Sequence, residues 1–389
     1  MPDQSNIRPA RPGDEDAMMR SVKIEAFELR RVNLPLVREF RTSFGTETAR
    51  EALVIRVLTN LGEGWGECGA GSDPLYSSEY VDAAWLTVRQ HLIPRLVGPP
   101  ELRAADVGQR LSAVKGHRMA KSALEMAVLD AELRAATMSF SNFLGGVKEA
   151  IAPGVSVGIT GSIAELLDVV AGYLDDGYCR VKLKIEPGWD LAPVEAVRER
   201  FGDELLLQVD ANTAYRRADI GHLAKLDAFG LLLIEQPLDE EDLLGHAQLA
   251  RRLTTPVCLD ESIVSAKAAA DAIALGACSI VNIKAGRVGG YLEARAVHDV
   301  CAAHGVPVWC GGMLETGLGR AANLALSALP GFVLPGDVSA TARYYREDIT
   351  PPFLLTDGVI TVPSGPGLGV DVMASSLAKL TSETELITV

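Results

Sequence analysis

A (β/α) barrel of the TIM type carrying a smaller α+β capping domain is the architecture this sequence predicts, and three observations predict it. Beyond Gly154, short β-branched runs alternate with helical stretches eight times over. Five successive runs end in a charged residue, Lys184, Asp210, Glu235, Asp260 and Lys284, at separations of 26, 25, 25 and 24 residues. Residues 21–150 read differently: strands come first and helices after, the pattern of an α+β unit.

The chain has 389 residues and a formal charge of −14, with 48% hydrophobic and 23% charged residues. That length suits a large barrel with a second, smaller domain. The acidic balance excludes nucleic acid as a partner, because binding a duplex requires a basic surface that displaces phosphate counterions. It leaves room for an anionic substrate in a locally positive cleft. No apolar run is long enough to span a bilayer, so no membrane partner is expected. Residues 1–20 are rich in Pro, Asp and Arg and lack an apolar centre; they read as a disordered extension and not as a secretory signal. The six cysteines form no C-x-x-C pair and sit mostly in apolar runs, which reads as reduced, buried thiols in a cytoplasmic protein.

In chain order, residues 22–29 alternate apolar and polar, residues 51–58 form a second strand, and Asn60-Leu61-Gly62 turns it toward Gly64-Trp65-Gly66-Glu67. Residues 37–46 read as a polar and aromatic loop that could cover something. Residues 80–96 and 119–136 carry helical spacing, and Ala120, Ala123, Ala127 and Ala131 give the second a small-residue face. The barrel spans residues 151–352. Its runs begin at Gly154, Val181, Leu205, Leu231, Val257, Ile280, Val306 and Phe332, and Ser162 with Glu165 caps the first helix. Asp357-Gly358 marks a hairpin within residues 353–389, which are expected to return to the capping domain.

Strand ends of a barrel converge on its C-terminal face, where active sites of this fold lie. An Asp at a strand end is often only the cap of the next helix. Three carboxylates at one repeating offset, however, repel one another unless a cation sits among them. All-oxygen ligation by Asp210, Glu235 and Asp260 suits a hard ion, Mg²⁺ first and Mn²⁺ as the alternative. Lys182 and Lys184, two apart, point to the same interior side, where a neighbouring cation and a metal would lower a lysine's pKa. Lys284 would face Lys184 across the barrel. A small carboxylate substrate held between them would present its α-carbon to an amine on each face, suiting proton abstraction and racemisation. The six histidines show no metal-ligand spacing and read as surface or helix-face residues.

These residues resemble the muconate-lactonizing subgroup of the enolase superfamily. The resemblance rests on Lys182-Leu183-Lys184, Gln208-Val209-Asp210-Ala211-Asn212, Ile234-Glu235-Gln236-Pro237, Leu259-Asp260-Glu261-Ser262 and Trp309-Cys310-Gly311-Gly312-Met313. It extends from about Val22 to about Val370 and is closer still to the branch of o-succinylbenzoate synthases and N-succinylamino acid (N-acylamino acid) racemases. It implies a modified (β/α)7β barrel, a homo-oligomer and menaquinone-pathway dehydration or racemisation. Lys184 would be the base, Lys284 the opposite-face base or the group stabilising the intermediate, and Lys182 the residue lowering the pKa of Lys184. Asn212 and Glu261 would support the metal or its waters. Ser156, Gly312 and Met313 would line the succinyl arm, and Phe40 and Phe44 would close over the site. Gly336-Asp337-Val338-Ser339 lacks the Asp-x-Asp with which related dipeptide epimerases hold an amino group. A muconate-type cycloisomerase or an acid racemase shares the same catalytic set. A Schiff-base lysine aldolase would need no acid trio, and a non-catalytic metal-binding scaffold would not need paired lysines.

Overall fold

The computed structural model describes residues 21–99 and 101–389. The extension read over residues 1–20 lies outside the described residues. Strands β1 (Ile24–Thr42), β2 (Gly45–Thr59) and β3 (Gly62–Cys68) form an antiparallel meander. The stretch read as a loop over residues 37–46 is instead the tip of the β1–β2 hairpin. Its turn is closed by the Thr42 hydroxyl, which donates to the Gly45 carbonyl at 3.2 Å. Charged residues Arg38, Glu39 and Arg41 masked the strand because this tip extends beyond the sheet's own core.

Helix Arg118–Ala135 packs on β3, and its small-residue face meets glycines. A Cβ on Gly64 would lie 2.1 Å from the Ala127 carbonyl oxygen, and one on Gly66 would lie 2.0 Å from that of Ala123. Alternate glycines on the strand and alanines on the helix thus let two backbones approach as no larger pair could. The helix read over residues 80–96 is broken by a π-helical turn, Val88–Leu92, just before Pro94, which has no N–H to continue the ladder.

After β4 (Ala150–Ile151) come seven parallel strands in sequential order. They are β5 (Gly154–Val157), β6 (Arg180–Lys184), β7 (Leu206–Asp210), β8 (Ile234–Glu235), β9 (Val257–Leu259), β10 (Ile280–Ile283) and β11 (Val308–Cys310). Ser162 caps the first helix by accepting the Glu165 N–H at 3.2 Å. The eighth run, at Phe332, is not a strand: a single bridge joins Phe332 to Val308. Pro335 removes a ladder donor, so the seam closes irregularly. The Gly154 N–H donates to the Gly336 carbonyl and the Asp337 N–H to the Cys310 carbonyl, both at 2.8 Å. A Cβ on Gly336 would lie 2.7 Å from that Cys310 oxygen.

The Asp357–Gly358 turn forms as a tight hairpin through two Thr356–Val359 bonds. Its outgoing arm, β12 (Ile360–Thr361), pairs with β4 beside the barrel. The strand that reaches the capping sheet is β13 (Thr381–Thr388), antiparallel to β1. Five cysteines are buried, but Cys179, at the exposed lead-in to β6, is not. His246 and His298 lie on helix faces as read, in Leu243–Arg252 and Tyr291–Ala303, but on the sides turned into the fold. Each accepts a backbone N–H, from Leu238 and Gly331 respectively, which satisfies a ring nitrogen inside the fold. No described helix is long and apolar enough to cross a membrane.

Candidate active site

Two-residue periodicity sends alternate side chains of each barrel strand inward. On β6 these are Arg180, Lys182 and Lys184, all buried. Register places Lys184 beside Asp210 on β7, and Asp210 beside Glu235 on β8. Asp260 and Lys284 follow directly on the ends of β9 and β10. Trp309 plugs the interior below them, its ring 4.8 Å from Lys182 Nζ and 5.4 Å from the Arg180 guanidinium.

Every acid of the trio meets a cationic side chain. Lys182 Nζ lies 3.2 Å from Asp210 and 2.9 Å from Glu235. Lys184 Nζ lies 2.7 Å from Asp210 and donates to the Asn212 side-chain oxygen at 2.6 Å. Lys284 Nζ lies 2.9 Å from Asp260, whose other oxygen is held by Arg287. Asn212 in turn donates to Glu261 at 2.9 Å. Among the described residues no three acids or histidines are gathered tightly enough to form a ready-made ion cage.

The donor set nevertheless fits a hard divalent cation. The three acids are all-oxygen donors on adjacent strands, and Glu261 keeps a buried oxygen without a hydrogen-bond partner. Burial, with the Asp210 charge, raises the Glu235 pKa above the usual carboxylate value and that of Glu261 to about 7. Such a crowd of acids calls for positive charge. Burial also opposes the charge on Lys182, but Asp337, Glu235 and Asp210 outweigh it and raise its pKa above the ordinary lysine value. Lys284 is raised likewise, against burial, by Tyr76, Glu261 and Glu235. The lowering that a neighbouring cation and a metal would bring is therefore not what the carboxylates alone produce at Lys182 and Lys284.

Above this cluster lies a cavity of about 350 Å³. Ser156, Lys182, Lys184, Asn212, Lys284, Gly312 and Met313 line it from the barrel, and Phe40 and Phe44 from the hairpin tip. Asp210, Glu235, Asp260 and Glu261 lie beneath that lining. Sequence reasoning missed four side chains that complete the site. The Tyr76 hydroxyl lies 3.2 Å from Asp260 and 3.0 Å from Lys284 Nζ. Asn282 donates to Glu235 at 2.6 Å, and Arg287 braces Asp260. Asp337 binds Lys182 Nζ at 2.6 Å and Arg180 at 2.8 Å. Only Asn282 carried a readable signal, since it stands two residues before Lys284 on the same strand.

Residues 24–145 match the family described as the mandelate racemase / muconate lactonizing enzyme N-terminal domain, and residues 165–376 match the enolase C-terminal domain-like family. The chain belongs to the enolase superfamily. It is an enzyme of that superfamily, and its similarity to other members runs nearly end to end. It is 65% identical over 361 residues to an N-succinylamino acid racemase of an Amycolatopsis species, covering 93% of this chain and 98% of the relative. It is 45% identical to an o-succinylbenzoate synthase of Geobacillus kaustophilus, covering 94% and 98%. A solved enolase superfamily member from Listeria innocua superposes with a TM-score of 0.90 at 40% identity, covering 94% of this chain and 99% of the other.

Proposed function

We propose that this chain is a Mg²⁺-dependent o-succinylbenzoate synthase and N-succinylamino acid racemase, both reactions proceeding by removal of a proton α to a carboxylate. The observation that carries the reading is the placement of Lys184 and Lys284 on the second and sixth barrel strands, with Asp210, Glu235 and Asp260 on the three strands between. Asp210, Glu235 and Asp260 would hold the metal, which when bound supplies Lewis-acid neutralisation of the substrate carboxylate.

Lys184 takes the α-proton from one face of the substrate. In dehydration the same amine returns it to the departing hydroxyl, and Lys284 balances the charge that develops opposite. In racemisation Lys284 delivers a proton to the other face. Lys182 and Asn212 orient Lys184, through the shared Asp210 and through Asn212's own oxygen. Phe40 and Phe44, brought in by the hairpin tip, exclude water from the amines. Asp337 is already bound by Arg180 and Lys182, so it offers no free carboxylate to a substrate ammonium; this supports an N-acyl substrate over one with a free amine.

The test is a parallel assay with Mg²⁺ on the cyclohexadiene precursor of o-succinylbenzoate and on an enantiopure N-succinylamino acid followed by polarimetry. Turnover of both is expected and stops when the metal is chelated. Turnover of neither, or activity that survives chelation, would overturn the reading.

A further inference from the structure

The tip of the β1–β2 hairpin is separated from its own sheet by a break in register. Pro35 pairs with Ala49 and Phe40 with Glu47, so residues 36–39 face Thr48 alone. Within the break and beyond it, the hairpin rests on the barrel. The Val37 N–H donates to the Tyr344 carbonyl and the Ile159 N–H to the Arg41 carbonyl, both at 2.9 Å. Ser43 reaches the Ala211 carbonyl at 3.2 Å.

Beneath the tip lies Arg343, a buried arginine with no carboxylate at ion-pairing distance among the described residues. Its guanidinium is boxed by three rings instead, 4.7 Å from Tyr344, 4.8 Å from Tyr173 and 5.8 Å from Phe40. Its Nη2 donates to the Ser156 carbonyl at 2.7 Å. The Ser156 hydroxyl is buried without a partner, and the residue lines the cavity.

We propose that Arg343 is a positioning residue that latches the hairpin tip over the active site through Phe40 while fixing the strand that presents Ser156 to the cavity. Tyr173, Tyr344 and the Ser156 carbonyl belong to the barrel side and hold the guanidinium whether the tip is in or out. Phe40 is the one ring on the moving side. A desolvated cation gains more from an aromatic face than an exposed one. Swinging the tip outward about residues 36–39 removes that ring and admits water to the cation, so the closed position is favoured. The same guanidinium thus holds Ser156 in the cavity wall and Phe40 of the tip above it.

The inference takes only its choice of substrate from the proposed function, and its first readout needs none. Hydrogen–deuterium exchange of amides 40–47 is measured in the wild-type protein, Arg343→Met, Arg343→Lys, Phe40→Leu and the Met/Leu double variant. Arg343→Met should speed exchange of the tip about ten-fold while the barrel strands keep their rates. KM for an N-succinylamino acid should rise by about the same factor, with kcat changed less. Arg343→Lys should recover part of both, and the double variant should be no worse than Phe40→Leu alone. If Arg343→Met does not fold, Arg343→Lys in the Phe40→Leu background answers the same question by adding nothing. Unchanged tip exchange in Arg343→Met, or losses that multiply in the double variant, would overturn the latch. Wild-type protein inactive on succinyl substrates would sink the proposed function and leave the exchange result standing.

Discussion

The capping domain and the barrel mouth both bury carboxylates, and they stabilise them in opposite ways. Glu79 accepts the Met119 and Ala120 N–H groups, Glu125 that of Leu292, and Glu67 those of Thr316 and Gly319. Each of these acids faces the start of another helix, where free N–H groups and the helix dipole favour negative charge. Glu67 and Glu125 also cross from the capping domain to barrel helices, so they join the two units. At the mouth, Asp210, Glu235 and Asp260 meet ammonium and guanidinium groups on side chains. Backbone donors are fixed in place, whereas lysine side chains turn and exchange protons. The same residue type therefore builds a joint in one region and reactive chemistry in the other.

Neutralising an acid of each kind separates the two roles. Asp260→Asn should abolish both reactions, a loss on the order of 10³-fold in kcat/KM, with Mg²⁺ binding by calorimetry lost in step. Metal affinity and turnover equal to the wild type would contradict the division. Among the cationic partners, Lys184→Ala should lose about 10²–10⁴-fold in both reactions. Lys284→Arg should lose racemisation, read as loss of deuterium incorporation into one enantiomer of the N-succinylamino acid; equal incorporation into both would remove Lys284 from its role.

The smallest effect belongs to the joint. Burial pushes the Glu125 carboxyl up to about 7 from an ordinary value of 4.5, against the Leu292 and Tyr291 N–H groups. A carboxyl whose folded pKa is raised contributes stability that is present below pH 4.5 and is lost as pH rises through 7. The wild type should thus lose stability between pH 5 and 8 that Glu125→Gln keeps, a difference of about 1–3 kcal/mol in urea unfolding. Parallel curves for the two proteins would show that Glu125 carries no such charge cost.

The barrel was legible because its chemistry repeats: one βα unit separates each charged strand end from the next, and interior position follows from alternation. Ser162 and the Asp357–Gly358 turn were legible because their geometry is local. Tyr76 and Arg343 were not, since each reaches the mouth from an irregular segment with no period to reveal it. Asp337 was noticed only for the partner acid it lacks, because its bonds to Arg180 and Lys182 depend on a seam that Pro335 and Gly336 keep from being a strand. The hairpin tip was mistaken for a loop because its polar residues pack on the barrel and not on its own sheet.

The pairing of β1 with β13 also constrains how the protein is made. The outer edge of β1 stays without its partner until β13 has been synthesised, after every barrel strand, although β2 and β3 are ready early. During translation that edge is open to other strands, and the hairpin tip that β1 carries stands on an unfinished sheet. The sheet beneath the hairpin tip is thus completed by a strand that follows every barrel strand in the chain.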